Sequence, residues 1–299
     1  MTVDATRLTP AQAAALRRRY TRRHVAGRIG VYVAAVIVSV LCAGPFLWSA
    51  ITAYKQNRDL YNADNNPFIF NRPATPDHVT YLFTDTRFLT FAWNTLWVGV
   101  LVVLITLALA LPAAYALARL DRPWSGPLGI GIFLVYLVPP SLLFLSLSRV
   151  VVGIGLQDST WSMVLVYPTI TVPVSVWLLM GFLRSVPRDV EEQAMVDGYS
   201  RLGAFLRAVV PLVFPGVVAV VVFAFTLTAS EYIYALAFVS PPDQMPVSTG
   251  VPAELIRGDV FFWQSLQAAT VLVAVPIAFV FNLFLDRFIA GFTAGAVKG

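Results

Sequence analysis

The chain has 299 residues, of which 58% are hydrophobic and only 12% are charged. A soluble domain carries about 25% charged residues, so this composition indicates an integral membrane protein. The formal net charge is +5 at pH 7, but the basic residues follow the polar segments instead of forming one face, which argues against nucleic-acid binding. The single Cys42 and the distant His24 and His78 predict neither an internal disulfide nor a metal site.

Residues 1–28 are polar and basic, and an apolar run follows at residues 29–53. As a helix that run would be about 37 Å long, enough to cross a bilayer. A cleaved leader has a much shorter apolar region, so we expect a retained first span. The basic segment then anchors the topology, with docking of a partner as the alternative. Its arginines include Arg17, Arg18, Arg19, Arg22, Arg23 and Arg28.

Five more apolar runs follow and complete a predicted transmembrane domain over residues 29–285. These spans are expected at about residues 94–118, 128–152, 161–183, 212–239 and 261–285, with polar segments at 54–93, 119–127, 186–211 and 240–260 and a tail at 286–299. The expected fold class is an all-α integral membrane protein with six transmembrane helices. Prolines inside the runs predict bent helices. The bends either surround a cavity or serve only the packing of the bundle. They are Pro112, Pro139, Pro140, Pro168, Pro173 and Pro276.

The distribution of positive charge predicts the orientation in the membrane. Six spans place both termini on one side, together with the segments 119–127 and 184–210. That side carries 15 of the 21 lysines and arginines, the opposite loops carry five, and Arg149 lies inside a span. Because positive charge is retained on the cytoplasmic side, both termini and the 186–211 segment are expected in the cytoplasm.

The 186–211 segment predicts two short helices joined by a turn. Pro187 suits a first helical turn, Gly198 suits the position just after a helix end, and Ser200 suits the start of the second helix. Acidic residues in the opening turns complement the helix dipole. A narrow apolar stripe in the second helix needs a partner to cover it. The acids are Asp189, Glu191 and Glu192, and the stripe is Leu202, Phe205, Leu206 and Val209.

The spacing within this segment resembles the EAA loop of ABC-importer permeases. The matching positions are Glu192, Ala194, Asp197, Gly198, Phe205 and Pro211, whereas Gln193 stands where the family has alanine and Tyr199 where it has a small residue. The resemblance implies the type I ABC importer permease fold and a loop that sits in a groove of an ATPase subunit. It implies that Glu192 meets a basic residue there and that Gly198 permits the turn. The expected coupling residues are Glu192, Gln193, Ala194, Asp197, Gly198, Leu202, Phe205 and Pro211.

Two ionisable residues lie within the predicted spans, Glu231 and Arg149. They either pair or reach the membrane interface, or Glu231 lines a polar substrate pathway with Tyr232, Tyr234 and Asn94. A carboxylate and aromatic rings suit a sugar. The stretch from Ser230 to Tyr232 resembles the W-N-E-Y stretch of carbohydrate permeases, with Trp and Asn replaced.

The C-terminus resembles the G-L-T-x-G-A-V-K-G ending of maltose-transporter-type sugar permeases, over residues 289–299. The resemblance implies a carbohydrate substrate, a second permease subunit, a dimer of ATPase subunits that bind ATP and Mg, and a periplasmic or lipid-anchored solute-binding protein. It also implies a bacterial inner membrane as the location.

The sequence contains no nucleotide-binding P-loop, because its only lysines are Lys55 and Lys298 and neither lies in the required Gly-Lys-Ser/Thr setting. We therefore expect no cofactor on this chain and no enzymatic activity of its own. Two alternatives stay open: an ABC-importer permease for a non-sugar solute, and a stand-alone secondary carrier. The sequence does not identify the sugar.

Overall fold

The computed structural model describes the backbone of residues 10–120 and 123–296, and the side chains of residue 25 and residues 27–120 and 123–284. Helices form nearly all of the regular structure, and a short antiparallel hairpin pairs Ile256 with Phe261 and Arg257 with Val260. In chain order the elements are α1 (Pro10–Ala53), α2 (Asn57–Leu60), α3 (Asp77–Thr84), α4 (Phe88–Arg119), α5 (Ser125–Tyr136), α6 (Pro140–Gly153), α7 (Thr160–Val166), α8 (Pro168–Ser185), α9 (Arg188–Val196), α10 (Arg201–Ala204), a π-helical turn (Phe205–Val209), α11 (Val210–Leu212), α12 (Phe214–Ser230), α13 (Ile233–Phe238), α14 (Val247–Leu255), β1 (Ile256–Arg257), β2 (Val260–Phe261) and α15 (Trp263–Ala296).

Several of these helices are long and apolar enough to cross a membrane. Among the described residues, four qualify as continuous helices: Gly27–Ala53, Phe88–Arg119, Thr160–Ser185 and Trp263–Phe284. Two further candidates are bent pairs, α5 with α6 at 93° and Arg201–Leu212 with α12 at 76°. Six spans result if each bent pair is counted once. The expected all-α membrane-spanning fold is thereby confirmed.

Two predicted spans differ from the continuous helices that the hydropathy suggested. The run 128–152 is two helices that meet at Pro139, which is extended (φ −58°, ψ 135°). Proline cannot donate a backbone hydrogen bond and disfavours helical geometry in the residue before it, so consecutive prolines end α5 and start α6. The run 212–239 is interrupted after Ser230, because Glu231 is extended and α13 begins only at Ile233.

Helix α4 is central to the bundle and packs against α8 and α12, whereas α1 packs against α15. Thr106 of α4 and Thr171 of α8 share a hydrogen bond of 2.6 Å between their hydroxyl oxygens. At Gly216 of α12 a β-carbon would lie 2.5 Å from the ring of Phe182. Small residues and interhelical hydrogen bonds of this kind are the usual means of close helix packing in membranes.

Three apolar clusters hold the helices together. The first lies where the C-terminal end of α4 packs against the 186–211 loop, and it includes Leu117, Leu183 and Phe205. The second lies toward the other end and includes Met163 and Tyr234. The third joins α1, α3, α4, α14 and α15 beyond it. The first cluster reaches from α4 and α8 into the loop, so the loop shares a core with the spans.

The polar segment after α1 is ordered by a buried ion pair. Lys55 and Asp59 are both about 1% exposed, and the Lys55 Nζ donates to the Asn66 carbonyl at 3.0 Å and lies 3.9 Å from Asp59 Oδ2. Asn71 donates to both Asp59 oxygens, from its side chain at 2.9 Å and its backbone at 3.1 Å. Burial raises the pKa of Asp59, but the Asn71 hydrogen bonds and the Lys55 charge outweigh it, so this pKa lies below its usual value.

Candidate functional site

The turn in the 186–211 loop has the geometry that its glycine permits. Helix α9 ends at Val196, and Gly198 has a positive φ of 94°. The Tyr199 amide donates to the Ala194 carbonyl at 3.1 Å and the Gly198 amide donates to the Met195 carbonyl at 3.1 Å. These two bonds form a Schellman motif, which needs a left-handed residue at this position. The predicted role of Gly198 in the turn is confirmed.

The second half of the loop continues through a π-helical turn. The Ser200 hydroxyl accepts from the Gly203 amide at 3.2 Å, so the predicted N-cap is confirmed. The π-helical turn Phe205–Val209 follows, and Pro211 lies in the last helix before the 76° bend at α12. Such π-helical turns are rare and are frequent at functional sites.

The apolar stripe predicted for this half is divided between two faces. Phe205 and Val209 are 4% and 0% exposed, whereas Leu202 and Leu206 are 66% and 52% exposed. Residues four apart align along this segment, so one pair packs on the spans and the other faces outward. The expectation of a single stripe was wrong.

The inner face of the loop is held by a buried carboxylate, that of Glu191. The whole Glu191 residue is only 3% exposed. The Tyr115 hydroxyl donates to Glu191 Oε1, Arg119 Nε lies 3.5 Å from Oε2, and Arg201 Nε lies 3.6 Å from Oε1. Arg119 also donates from Nη2 to the Val186 carbonyl at 2.9 Å. This cluster joins the end of α4 to three parts of the loop.

The outer face of the loop is apolar at its centre and polar beside it. We define the exposed loop face as Met195, Val196, Tyr199, Leu202 and Leu206, all of which are exposed. Val196, the last residue of α9, is 87% exposed. Glu192, Gln193 and Asp197 are also exposed. An apolar surface bordered by polar residues is typical of an interaction site.

The Glu231 carboxylate caps a helix instead of forming an ion pair. It accepts hydrogen bonds from the Tyr234 amide at 3.0 Å and the Ala235 amide at 3.1 Å, which begin α13. Among the described residues no ion pair joins Glu231 to Arg149. A negative charge at a helix start is stabilised by the helix dipole and the free amides. Of the alternatives that the sequence left open for Glu231, pairing with Arg149 is therefore wrong.

The other predicted pathway residues have different surroundings. Tyr232 is half-exposed, and Tyr234 is fully buried against Phe238 at 5.7 Å between ring centroids. Asn94 is buried, and its amide donates to the Asp243 carbonyl at 2.9 Å and to a neighbouring carbonyl at 3.0 Å. Its amide hydrogens thus hold the segment before α14 onto α4.

A large cavity reaches Ser230, the residue before Glu231, but none of the predicted pathway residues lines it. Its volume is about 1350 Å³, and α8, α12, α14 and α15 line it mainly with apolar side chains, including Val222 and Phe223. Thr226, Ser230 and Ser248 add hydroxyl groups, whereas Glu231 does not line it. Within the described part of the chain, no three His, Cys, Asp or Glu side chains are grouped for metal binding.

Comparison with known proteins gives this architecture a family. The profile of the family described as the binding-protein-dependent transport system inner membrane component matches residues 89–293. The chain belongs to this family. It is a multi-pass inner membrane permease, and the family inferred from the loop motif is confirmed.

Individual relatives cover nearly the whole permease. It is 32% identical to the sulfoquinovosyl glycerol transport system permease protein SmoH of Agrobacterium fabrum, over 90% of this chain and 93% of SmoH. It is 30% identical to the diacetylchitobiose uptake system permease protein DasC of Streptomyces coelicolor, over 93% of this chain and 100% of DasC. It is 27% identical to the trehalose/maltose transport system permease protein MalG of Thermococcus litoralis, over 93% of this chain and 99% of MalG.

Solved structures share the fold at low sequence identity. A chain of a bacterial ABC transporter that imports the acidic polysaccharide alginate superimposes with a TM-score of 0.74 at 17% identity, covering 88% of the permease and 98% of that chain. A second, in complex with an alginate pentasaccharide-bound periplasmic protein, has a TM-score of 0.63 at 14% identity. These matches support the fold.

The structure brings the motif residues into one loop but divides them by face. Ala194 and Phe205 face the spans, whereas Glu192 and Leu202 face outward. Sequence reasoning missed Tyr115, Arg119 and the burial of Glu191 between them and Arg201. One signal was available: Tyr115 and Arg119 are four residues apart and so share a face at the polar end of α4.

Proposed function

We propose that this permease is the membrane-spanning subunit of an ATP-driven ABC importer that takes up a carbohydrate. Relatives named for sulfoquinovosyl glycerol, diacetylchitobiose and trehalose or maltose support a carbohydrate substrate. The importer also comprises a second permease, a dimer of ATPase subunits that bind ATP and Mg, and a periplasmic or lipid-anchored binding protein. The fold neighbour in complex with a periplasmic protein supports that last partner. The permease itself is not a catalyst, and both of its termini lie in the cytoplasm.

The observation that carries the coupling role is the exposed loop face. One side of the loop shares a core with α4 and α8, so the loop is packed against the spans. The other side exposes Val196, Leu202 and Leu206 where no part of the described chain covers them. Apolar residues in water need a partner. A groove on an ATPase subunit supplies it, and Glu192 beside the face adds charge for a basic residue there.

The mechanism follows from how the loop is joined to the bundle. Closure of the ATPase dimer on ATP moves the loop, and α4 and α12 tilt with it. The bend between α11 and α12 redirects the displacement into the fifth span. The tilt converts a cavity open to the cytoplasm into one open to the binding protein. This is a rigid-body transition driven by the binding of ATP to partner subunits.

Changing the exposed loop face is expected to prevent ATPase association. Leu202→Asp places a charge in the centre of the apolar face, and Glu192→Lys reverses the charge beside it. We expect either variant to weaken co-purification of the ATPase subunits by at least about tenfold, corresponding to 1.4 kcal/mol. Asp189→Asn, an exposed change at the start of α9, is the matched control. Wild-type co-purification of Leu202→Asp would contradict the docking role.

We place Glu231 at the entrance of the substrate pathway, beside the half-exposed Tyr232 and the hydroxyl-bearing part of the cavity. Glu231→Ala removes the cap of α13, which costs about 1 kcal/mol, and removes an acceptor for sugar hydroxyls. We expect uptake to fall while the importer still assembles. Glu231→Gln, which keeps one acceptor oxygen, is expected to retain more uptake. Unchanged transport by Glu231→Ala would remove this residue from the pathway.

Reconstitution in liposomes tests the whole assignment. We expect uptake only when the ATPase subunits, ATP and the binding protein are present. A secondary carrier would transport without them, and a non-sugar importer would respond to another solute. A thermal-shift screen of the binding protein against sugars and against amino acids separates the second case and identifies the substrate.

A further inference from the structure

Two adjacent carboxylates in α9 have opposite surroundings. Glu192 is exposed on the outer side, whereas Glu191 is 3% exposed on the inner side with the buried Ala194. The two side chains project about 100° apart on a helix, so only one can face the spans. The motif residue is Glu192, and nothing in the motif assigns a role to its neighbour.

The groups around Glu191 come from different elements. Tyr115 and Arg119 extend from the last two turns of α4, and Arg201 extends from α10. Arg119 also holds the Val186 carbonyl in the link between α8 and α9. The Glu191 carboxylate is therefore the point at which α4, α9 and α10 are joined through polar contacts.

The charges in this cluster depend on one another. The Arg119 side chain is only 4% exposed, and its Nε makes no hydrogen bond with any described residue, so the nearby Glu191 charge is what compensates it. Arg201 is largely exposed and keeps its contact with water. Loss of the Glu191 charge would leave Arg119 buried without a counter-ion, which is strongly unfavourable.

We infer that Glu191 is a positioning residue that fixes α9 to the end of α4, so that movement of the loop is passed to the second span. The hydrophobic effect is non-directional, whereas hydrogen bonds and ion pairs fix the relative orientation of the groups they join. The ring of Phe205 packs on Tyr115 at 4.2 Å between centroids and supports the same joint from the π-helical turn. The inference rests on the proposed coupling role of the loop.

The joint itself can be tested on the full chain in lipid nanodiscs, without partners. Spin labels at Leu109→Cys on α4 and Val196→Cys at the end of α9, both exposed, report the distance between the two helices when Cys42 is changed to serine. We expect a narrow distance distribution in the parent and in Glu192→Gln, and a broader or shifted one in Glu191→Gln. Identical distributions in all three would overturn the inference.

The functional arm uses the importer assembled with its ATPase subunits, second permease and binding protein. We expect Glu191→Gln and Tyr115→Phe to retain the ATPase subunits and hydrolyse ATP, but to import at least about fivefold less substrate per ATP, the lower end of typical coupling between sites. Tyr115→Phe keeps the ring and removes only the hydroxyl, so it decides the matter if Glu191→Gln fails to insert.

The outcomes separate the two proposals. Wild-type import per ATP in both variants would overturn the role of Glu191 and leave the ATPase-docking role intact. Failure of the unchanged permease to bind the ATPase subunits would overturn the proposed function, and the spin-label distances would still decide whether Glu191 fixes α9 to α4.

Discussion

Replacing Gly198 by valine is expected to abolish coupled uptake while the permease still inserts in the membrane. Gly198 has a φ of 94°, a backbone conformation that costs an L-residue about 1–2 kcal/mol and a β-branched one more. The Schellman hydrogen bonds at this turn would break, and the exposed loop face would no longer be held in one orientation. We expect uptake to fall by at least about tenfold, the equivalent of 1.4 kcal/mol. Uptake and ATP hydrolysis in proteoliposomes measure the effect together.

A graded series at the same position gives the control. Asparagine tolerates the left-handed conformation better than other L-residues, so Gly198→Asn should retain most of the uptake. Gly198→Ala should fall between asparagine and valine. The new β-carbon causes no steric clash in any of these variants, because it would meet no atom within 4 Å. Equal uptake by the asparagine and valine variants would show that the turn conformation does not matter for coupling.

Replacing Lys55 by alanine is expected to open the polar segment after α1. Lys55→Ala leaves the buried Asp59 without its cation, with the Asn71 and Asn65 amides and the Arg72 backbone as its partners. The two charged groups are 3.9 Å apart, so we expect the lower end of the cost of breaking a buried ion pair, about 3 kcal/mol. Amide hydrogen exchange across residues 54–77 should accelerate by about a hundredfold, because exchange follows the free energy of local opening.

Three comparisons show whether the ion pair is responsible. Arg58→Ala removes an exposed cation from α2, the helix that contains Asp59, and should leave exchange unchanged. Lys55→Ala combined with Asp59→Asn removes both charges and should recover much of the protection. Because the folded pKa of Asp59 is lowered, its stabilisation is present above the unfolded pKa and is lost as pH falls through the folded value. Asp59→Asn should lack that acid dependence.

Much of the architecture was predictable because it depends on local properties. The length of each apolar run, compared with the thickness of a bilayer, predicted membrane-spanning helices. Gly198 and Ser200 predicted the turn and the helix start, since left-handed geometry and N-capping are set by single residues. The spacing of Glu192, Asp197 and Gly198 pointed to the family that the comparison confirmed.

Hydropathy could not predict the interruptions of the spans. An apolar run has the same hydropathy whether its helix is straight or broken. The break at Glu231 arises because its carboxylate caps α13, and the 93° bend at Pro139 has a direction that depends on the neighbouring helices. The buried pair of Lys55 and Asp59 was likewise invisible, since its partners come from a loop that folds back over it.

The sequence by itself determined that this protein spans a membrane, where its loop turns and which family it belongs to, because each depends on composition or on neighbouring residues. Only the tertiary structure decided that Glu191 and not Glu192 is buried, and that Phe205 packs inward while Leu202 faces outward. The physical reason is that the face of a short helix is chosen by what it packs against. Here that is the end of α4, which is more than 70 residues away in sequence from the carboxylate that its Arg119 contacts.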